Sequence, residues 1–122
     1  MISIMLVEDS VAVRNRLRQI LEEIRRFRII GEFETAQDAI AAIDSQAPDV
    51  VLLDIKLRAG NGIEVLRHLR QHAPGAKVIV FSQHDDPEYR EQFLQAGAHL
   101  FVNKTQETGK LVDALTELAA AH

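Results

Sequence analysis

The 122-residue sequence has no cysteine, no tryptophan and no long apolar run. Without cysteine, a disulfide framework, a thiolate zinc site and a cysteine nucleophile are excluded. The longest apolar stretch runs from Ala39 to Ile43, far short of the ~20 residues that span a bilayer. Basic side chains are also few, 14 against 18 acidic ones, which leaves a net charge of −4. This balance disfavours general binding to nucleic acid or to anionic membranes.

The N-terminus does not look like a targeting segment. No basic stretch precedes the first apolar run, and Glu8 and Asp9 interrupt it, so we do not expect a signal peptide. We therefore expect a cytoplasmic protein that contacts neither a membrane nor nucleic acid directly. The length suits a single domain over 1–122, and the sequence contains no internal repeat or linker.

Five apolar runs without polar alternation predict buried parallel strands, because strands covered by helices on both sides are apolar on both faces. They are Ile2–Val7, a weaker run Arg28–Phe33, Val50–Leu53, Val78–Phe81 and Leu100–Val102. Between them, apolar residues recur at helical spacing. The five helical stripes are Val13/Leu17/Ile20/Ile24, Ala39/Ile40/Ile43, Ile63/Leu66/Leu69, Tyr89/Phe93/Leu94 and Leu111/Leu115/Leu118, with Thr35 and Asp38 as an N-cap pair before the second.

This alternation predicts an α/β fold, a doubly wound five-stranded parallel sheet with five helices. Right-handed crossovers restrict the topology, and the expected strand order is 2-1-3-4-5. Polar residues follow four of the strands, at the edge where open α/β sheets bind ligands. They are Glu8 and Asp9 after the first strand, Asp54 after the third, Ser82 after the fourth and Lys104 after the fifth.

In the predicted order the first and third strands are neighbours, so three carboxylates should converge in one shallow pocket. Converging carboxylates repel one another unless a cation intervenes, and oxygen ligands with open water positions favour Mg²⁺. A carboxylate, a metal ion, an ammonium group and a hydroxyl together suit phosphoryl transfer. The carboxylate can itself accept the group as an aspartyl phosphate.

Taken together, these residues resemble the receiver domain of bacterial two-component response regulators, and the resemblance covers essentially the whole chain. Taken alone, each of these strand-end residues is more often a helix cap or a surface group than a functional residue. The segments that carry the resemblance are Leu6–Asp9, Asp49–Asp54, Gly60–Gly62, Phe81–Ser82, Gly97–Ala98 and Phe101–Lys104.

The resemblance implies a role for each site residue. Asp54 would accept a phosphoryl group from the phosphohistidine of a sensor kinase or phosphotransfer protein. Asp9 and Asp54 would bind Mg²⁺ with the backbone carbonyl of Lys56, and Glu8 would complete the acidic pocket through water. Lys104 would pair with the phosphate.

The same resemblance implies a conformational switch, and it implies residues that set the lifetime of the aspartyl phosphate. Ser82 would hydrogen-bond the phosphoryl oxygen, and Phe101 would turn inward when Ser82 moves. Lys56 and His84 occupy positions that influence how fast the phosphoryl group is hydrolysed, so we expect an altered lifetime of undetermined direction. The shift between two conformations would control a partner protein or a missing output domain, with a phosphorylation-dependent homodimer as a further option. The length favours a stand-alone receiver.

Two positions depart from the family pattern. Arg58 stands where the family usually has proline, which predicts a looser loop after the phosphoacceptor. Thr105 replaces the proline that usually follows Lys104 in a cis bond. Because a non-proline cis bond costs about 3 kcal/mol, either the surroundings hold that strain or the bond is trans.

Two further features have simpler interpretations. His68 and His72 are four residues apart on a predicted helix and have metal-ligand spacing, but the sequence indicates no third ligand, so we interpret them as surface histidines. The basic run Arg25–Arg28 is interpreted as a solvated helix end.

Three alternative functions stay open at this point. A phosphatase or phosphotransferase with an aspartyl phosphate would carry its nucleophile after the first strand, with a second Asp two residues on, and Glu8-Asp9-Ser10 lacks that spacing. A flavin-binding domain would need a phosphate-cradling first loop, and here that loop is acidic. A degenerate receiver would bind a partner without phosphorylation.

Overall fold

Five strands alternate with five helices in the computed structural model, which describes residues 1–121. The elements are β1 (Ile2–Val7), α1 (Val11–Ile24), β2 (Phe27–Phe33), α2 (Ala36–Ser45), β3 (Val50–Leu53), α3 (Gly62–His72), β4 (Lys77–Ser82), α4 (Pro87–Gln95), β5 (Leu100–Asn103) and α5 (Thr108–Ala121). Every predicted strand and helix is present. The first and third strands have the predicted bounds, and the other three are one or two residues longer.

The strands form one parallel sheet in the order β2-β1-β3-β4-β5, which confirms the predicted fold class and topology. Two apolar layers cover its faces. One lies beneath α2, α3 and α4, and includes Val51, Leu66 and Phe93. The other lies beneath α1 and α5, and includes Leu17 and Leu111. Because both faces are covered, β3 is fully buried along its length.

Side-chain caps fix where three helices begin. Ser10 accepts a hydrogen bond from the Val13 backbone N–H at the start of α1. Thr35 accepts one from the Asp38 N–H at 3.2 Å, as the sequence predicts. At the start of α3, Asn61 and Glu64 form a reciprocal capping box. The entry of each helix is thereby set next to the strand end that precedes it.

The weak second strand depends on a sharp turn before it and on a close contact within it. Arg25 ends α1 in the left-handed conformation, at φ 61°, and Phe27 then enters the sheet as a buried residue. At Gly31 an added Cβ would lie 2.5 Å from the Phe33 ring. The register between β1 and β2 shifts between Ile4 and Met5, opposite this contact. The shift explains the irregular apolar pattern of this run.

Helix α4 packs on the sheet beside β5. Phe93 is fully buried and meets the Phe101 ring edge-on, with centroids 6.3 Å apart. Tyr89, one turn earlier, packs against the same apolar layer. Among the helices of residues 1–121, none combines the length and apolar character needed to cross a bilayer.

Candidate functional site: an acidic pocket at the carboxyl edge of the sheet

The acidic pocket consists of Glu8, Asp9 and Asp54, which follow the adjacent strands β1 and β3. One carboxylate oxygen from each lies within 4.8 Å of the others. Glu8 is 3% exposed and Asp54 is 6% exposed, whereas Asp9 is partly exposed. The predicted convergence of the three carboxylates is therefore seen, with Asp9 at the mouth of the pocket.

Lys104 bridges the two buried carboxylates. Its Nζ donates to Glu8 Oε1 at 2.8 Å and to Asp54 Oδ2 at 2.9 Å. The second oxygen of each carboxylate accepts from the backbone, Asp54 Oδ1 from the Ile55 N–H at 2.7 Å and Glu8 Oε2 from the Ser10 N–H at 2.9 Å. Both buried carboxylates are thus held in place by one ammonium group and two backbone donors.

The electrostatics of the pocket follow from burial. Burial raises the pKa of Glu8 to about 7, and hydrogen bonds from Lys104 and the Ser10 N–H only partly oppose it. Burial also lowers the pKa of Lys104, but its hydrogen bonds to Glu8 and Asp54 outweigh this, so its pKa is raised. Lys104 therefore stays a cation in the pocket, and burial makes the charged form of Glu8 costly unless a cation lies beside it.

The turn after β5 sets the reach of Lys104. The Lys104 backbone N–H donates to the Ser82 carbonyl at 3.1 Å. Asn103 Oδ1 accepts from the Thr105 N–H at 2.9 Å, from Thr105 Oγ1 at 2.7 Å and from the Gln106 N–H at 3.0 Å. No peptide bond within residues 1–121 is cis, so the bond from Lys104 to Thr105 is trans.

Asn103 and Thr105 position this turn, a role that the sequence analysis did not assign to either residue. The Asn side chain replaces the rigidity of a proline with an Asx turn. The signal that would have found it is an Asn placed two residues before a Thr at a strand end.

Ser82 ends β4 with its side chain fully buried. Its Oγ accepts from the His84 N–H at 3.1 Å, so the hydroxyl keeps its own hydrogen for donation. His84 is partly exposed, and Lys56, which follows β3, is exposed. The two basic side chains thus belong to the loops that leave β3 and β4.

Phe101 lies in β5 and is 2% exposed, so its ring faces inward in this structure. The Arg90 guanidinium carbon lies 4.9 Å from the centre of that ring, within range of a cation–π contact. Arg90 also donates to the Phe101 carbonyl at 3.2 Å and to Glu107 Oε1 at 2.7 Å. One side chain of α4 therefore holds both β5 and the loop that follows it.

The loop after Asp54 is tied down, contrary to the looser loop expected from Arg58. The Arg58 N–H donates to the Glu34 carbonyl at 3.0 Å, a bond that proline could not make. The Ala36 N–H donates to the Ala59 carbonyl, also at 3.0 Å. The backbone hydrogen bonds to the β2–α2 loop replace the rigidity that proline provides.

The donor set of the pocket determines which ions it can take. The three side chains offer only carboxylate oxygens, the ligands of hard cations, and neither histidine nor cysteine. Two or three carboxylates leave coordination positions for water, which suits Mg²⁺. The residues present therefore fit a magnesium ion.

His68 and His72 have a potential third ligand beside them, contrary to the expectation from the sequence. His72 is exposed and His68 partly so, but Asp44 of α2 supplies a third potential ligand that the sequence did not indicate. Asp44 lies 24 residues before His68 in the chain, so only the packing of α2 on α3 brings it there.

Comparison with known proteins gives one consistent result. The family model described as the response regulator receiver domain matches residues 4–116. The chain is 31% identical over 118 residues to the transcriptional regulatory protein DegU of Brevibacillus brevis, a match that covers 97% of this chain and 50% of DegU. It is 30% identical to the chemotaxis protein CheY of Halobacterium salinarum, and that match covers 97% of both chains.

A solved structure agrees with these sequence matches. The signal receiver domain of the putative response regulator NarL from Mycobacterium tuberculosis superimposes with a TM-score of 0.86 at 26% identity, covering 99% of this chain and 98% of that one. The chain spans about half the length of several curated relatives, 50% of DegU and 53% of the response regulator UvrY of Escherichia coli.

Proposed function

The chain belongs to the response regulator receiver domain family, and from this premise we propose that it is a phosphoacceptor of a two-component system with Asp54 as the accepting residue. Receiver domains are signalling modules that pair with histidine kinases and with output domains. We further propose that the domain occupies the whole of 1–122 and that it has no catalytic role beyond its own phosphorylation and dephosphorylation.

One observation carries the proposal: the contact of Lys104 Nζ with Asp54 Oδ2 at 2.9 Å inside an acidic pocket. A buried Asp paired with a Lys is commonly a structural ion pair. Here the pair has Glu8 and Asp9 beside it and a buried hydroxyl, Ser82, on the next strand end. This combination is the one that phosphoryl transfer needs.

The proposed reaction starts from a phosphohistidine on a kinase or phosphotransfer protein. Asp54 Oδ2 attacks the phosphorus, the phosphorus–nitrogen bond breaks, and the electron pair and a proton remain with the imidazole. Lys104 then moves its hydrogen bond from the carboxylate oxygen to a phosphoryl oxygen. Ser82 donates its hydroxyl hydrogen to another phosphoryl oxygen. Asp54 Oδ1 keeps its bond to the Ile55 N–H, which fixes the carboxylate during attack.

Receiver domains are generally Mg²⁺-binding, and the acidic pocket offers the ligands. We propose that Asp9 and Asp54 hold the ion with the Lys56 backbone carbonyl, and that Glu8 contacts it through water. The ion would neutralise charge on the phosphoryl oxygens. Without the ion, the carboxylates of Glu8 and Asp9 would repel the incoming phosphate, so a cation is needed between them.

The output proposed for this domain is a shift between two conformations. Phosphoryl contacts by Ser82 and Lys104 would move the loops after β4 and β5, and Phe101 would report that movement by its packing. A downstream protein or an attached output domain would bind one state better than the other. A phosphorylation-dependent homodimer is one form that such binding can take.

Intact-mass measurement after incubation with Mg²⁺ and acetyl phosphate tests the proposal. We expect the mass to rise by one phosphoryl group, and the gain to be absent in Asp54→Asn. Asp86→Asn, which changes an exposed carboxylate without a side-chain cap bond, is the matched control and should be phosphorylated normally. Asp9→Asn should lose Mg²⁺-dependent phosphorylation while keeping its fold. A mass gain that persists in Asp54→Asn would contradict the assignment.

A degenerate receiver that acts without phosphorylation is the second candidate. It is favoured by the fact that both Asp54 oxygens already have hydrogen-bond donors in this structure. Absence of both a mass gain and Mg²⁺ binding would support it. Mg²⁺ binding without a mass gain would point instead to fast hydrolysis, and a beryllofluoride complex would then be sought.

A further inference from the structure

A second cluster of potential metal ligands lies outside the acidic pocket, between α2 and α3. It comprises Asp44, His68 and His72, and we call it the histidine site. One ligand atom from each residue lies within 4.8 Å of the others. His68 Nε2 is 2.6 Å from Asp44 Oδ1, and the two imidazole rings stack with centroids 4.1 Å apart at an interplanar angle of 27°.

The fold accounts for this placement. His68 and His72 are four residues apart in α3, so their side chains project from one face of the helix. Asp44 is the penultimate residue of α2. Ile43, beside it, and Leu69, beside His68, are buried in the same apolar layer, which locks the two helices together. The three polar side chains therefore stand at the rim of a rigid helix–helix contact.

From this geometry we propose that the histidine site binds a divalent transition metal ion of the zinc class and thereby links α2 to α3. Two imidazoles and one carboxylate form the donor set of many zinc sites with three protein ligands, and a water molecule completes the tetrahedron. Imidazole nitrogen favours Zn²⁺, Ni²⁺ or Cu²⁺ over Mg²⁺. The acidic pocket has the opposite preference, so the two sites select different ions.

Only small movements are needed to close the site. Ligand atoms around a tetrahedral zinc ion with bonds of about 2.0–2.1 Å are roughly 3.4 Å apart. His68 Nε2 and Asp44 Oδ1 are 2.6 Å apart, so they must separate by about 0.8 Å, which side-chain rotation can supply without a shift of either helix. The His72 ring must also turn toward these two atoms. Asp44 is 55% exposed and His72 is exposed, so both side chains have room to turn.

A plain hydrogen bond between His68 and Asp44 is the simpler interpretation, and it explains one of the contacts. It involves only two of the three residues, and His72, whose ring stacks on that of His68, takes no part in it. A metal ion accepts the lone pair of each neutral imidazole and would use all three residues as ligands.

The test is calorimetric titration of the full, untagged chain with ZnCl₂ in a buffer free of phosphate. We expect one ion bound per chain at the histidine site, with the imidazole resonances of His68 and His72 shifting together in nitrogen-detected NMR. His72→Ala and Asp44→Asn should each weaken zinc binding at least about tenfold, since loss of even an outer-shell partner costs that much. Zinc should also raise the melting temperature, by roughly 5–10 °C when it is present at a hundredfold excess over Kd.

Two controls separate this site from other causes. Gln71→Ala alters an exposed neighbour of His72 and should leave the zinc affinity unchanged. Asp9→Asn removes a ligand of the acidic pocket and should also leave it unchanged. Far-UV circular dichroism and the metal-free melting temperature establish that His72→Ala and Asp44→Asn are folded, and His72→Gln replaces His72→Ala should that variant not fold.

Three results would overturn the proposal: no zinc binding by the native chain, binding that survives His68→Gln combined with His72→Gln, or binding that is lost only in Asp9→Asn. None of these results depends on phosphorylation of Asp54, so the experiments test the histidine site independently of the proposed phosphoacceptor.

Discussion

Lys104 Nζ lies 2.9 Å from Asp54 Oδ2, although the two residues are 50 positions apart in the chain. The same ammonium group reaches Glu8 Oε1 at 2.8 Å. Lys104 is therefore the only cation among the described side chains that is hydrogen-bonded to both buried carboxylates of the acidic pocket. In the absence of a metal ion, it is the group that offsets their mutual repulsion.

Lys104→Met should destabilise the protein in metal-free buffer by roughly 1–3 kcal/mol, because two buried carboxylates lose their shared cation. Mg²⁺ should then raise the melting temperature of Lys104→Met by more than it raises that of the native chain, since the ion takes over the lost charge. Thermal melts with EDTA and with Mg²⁺ measure both effects. Lys77→Met, at an exposed lysine, is the control, and an equal Mg²⁺ effect in all three proteins would contradict the prediction.

Gly62→Ala should damage both stability and phosphorylation. A Cβ at Gly62 would lie 2.2 Å from the Asp54 carbonyl oxygen, so the backbone that carries the phosphoacceptor must move. We expect a loss of about 2–3 kcal/mol in the free energy of unfolding and slower phosphorylation by acetyl phosphate. Gly109→Ala is the matched control, because nothing lies within 4 Å of its added Cβ, and it should be neutral or stabilise by up to about 1 kcal/mol. Equal stability of the two variants in urea titrations would count against the assigned contact.

Much of this arrangement follows from the sequence. β1 and β3 have the predicted bounds because their apolar runs are flanked directly by polar residues, Glu8 and Asp54. The convergence of the strand-end carboxylates then follows from topology, because neighbouring parallel strands bring their carboxyl ends to one edge. The bounds of β2 are less clear from the sequence, since Gly31 and the register shift beside it break the apolar pattern.

Two of the remaining features depend on contacts that no local pattern indicates. The Arg58 N–H bonds to the Glu34 carbonyl across two loops, so the expected looseness is absent. Asp44 meets His68 only because α2 packs on α3. In both cases the partner is distant in the chain. The Asn103 turn that positions Lys104 is local by contrast, and an Asn two residues before a Thr at a strand end is its sequence signal.

The stability contributed by Glu107 should depend on pH. Lys110, the Asn103 N–H and Arg90 together hold the pKa of Glu107 at about 2, below its ordinary value of 4.5. Because the folded-state pKa is depressed, this contribution is present above pH 4.5 and is lost as the pH falls through about 2. Glu107→Gln should therefore melt at a lower temperature than the native chain at neutral pH, and the difference should shrink as the pH approaches 2. A difference that is constant across this range would contradict the assigned network.

Lys56 and His84 should set the lifetime of the aspartyl phosphate. Lys56 is exposed and His84 partly exposed, on the loops after β3 and β4, where a basic side chain can obstruct or orient the attacking water. Replacing both with alanine should change the rate of dephosphorylation, measured from the decay of the phosphorylated mass after removal of the donor. Lys77→Ala serves as a distant control. An unchanged rate in the double variant would remove these residues from the mechanism.

The position of Tyr89 in α4 makes its fluorescence an intrinsic probe of this part of the protein. Tyr89 is the only tyrosine, and the chain has no tryptophan, so essentially all intrinsic ultraviolet emission comes from one ring on α4. That ring packs on the apolar layer that contains Phe93 and Phe101, and the neighbouring residue Arg90 holds the Phe101 carbonyl. A rearrangement of this apolar layer is therefore expected to alter the surroundings of Tyr89, and its fluorescence would report the change without an added label.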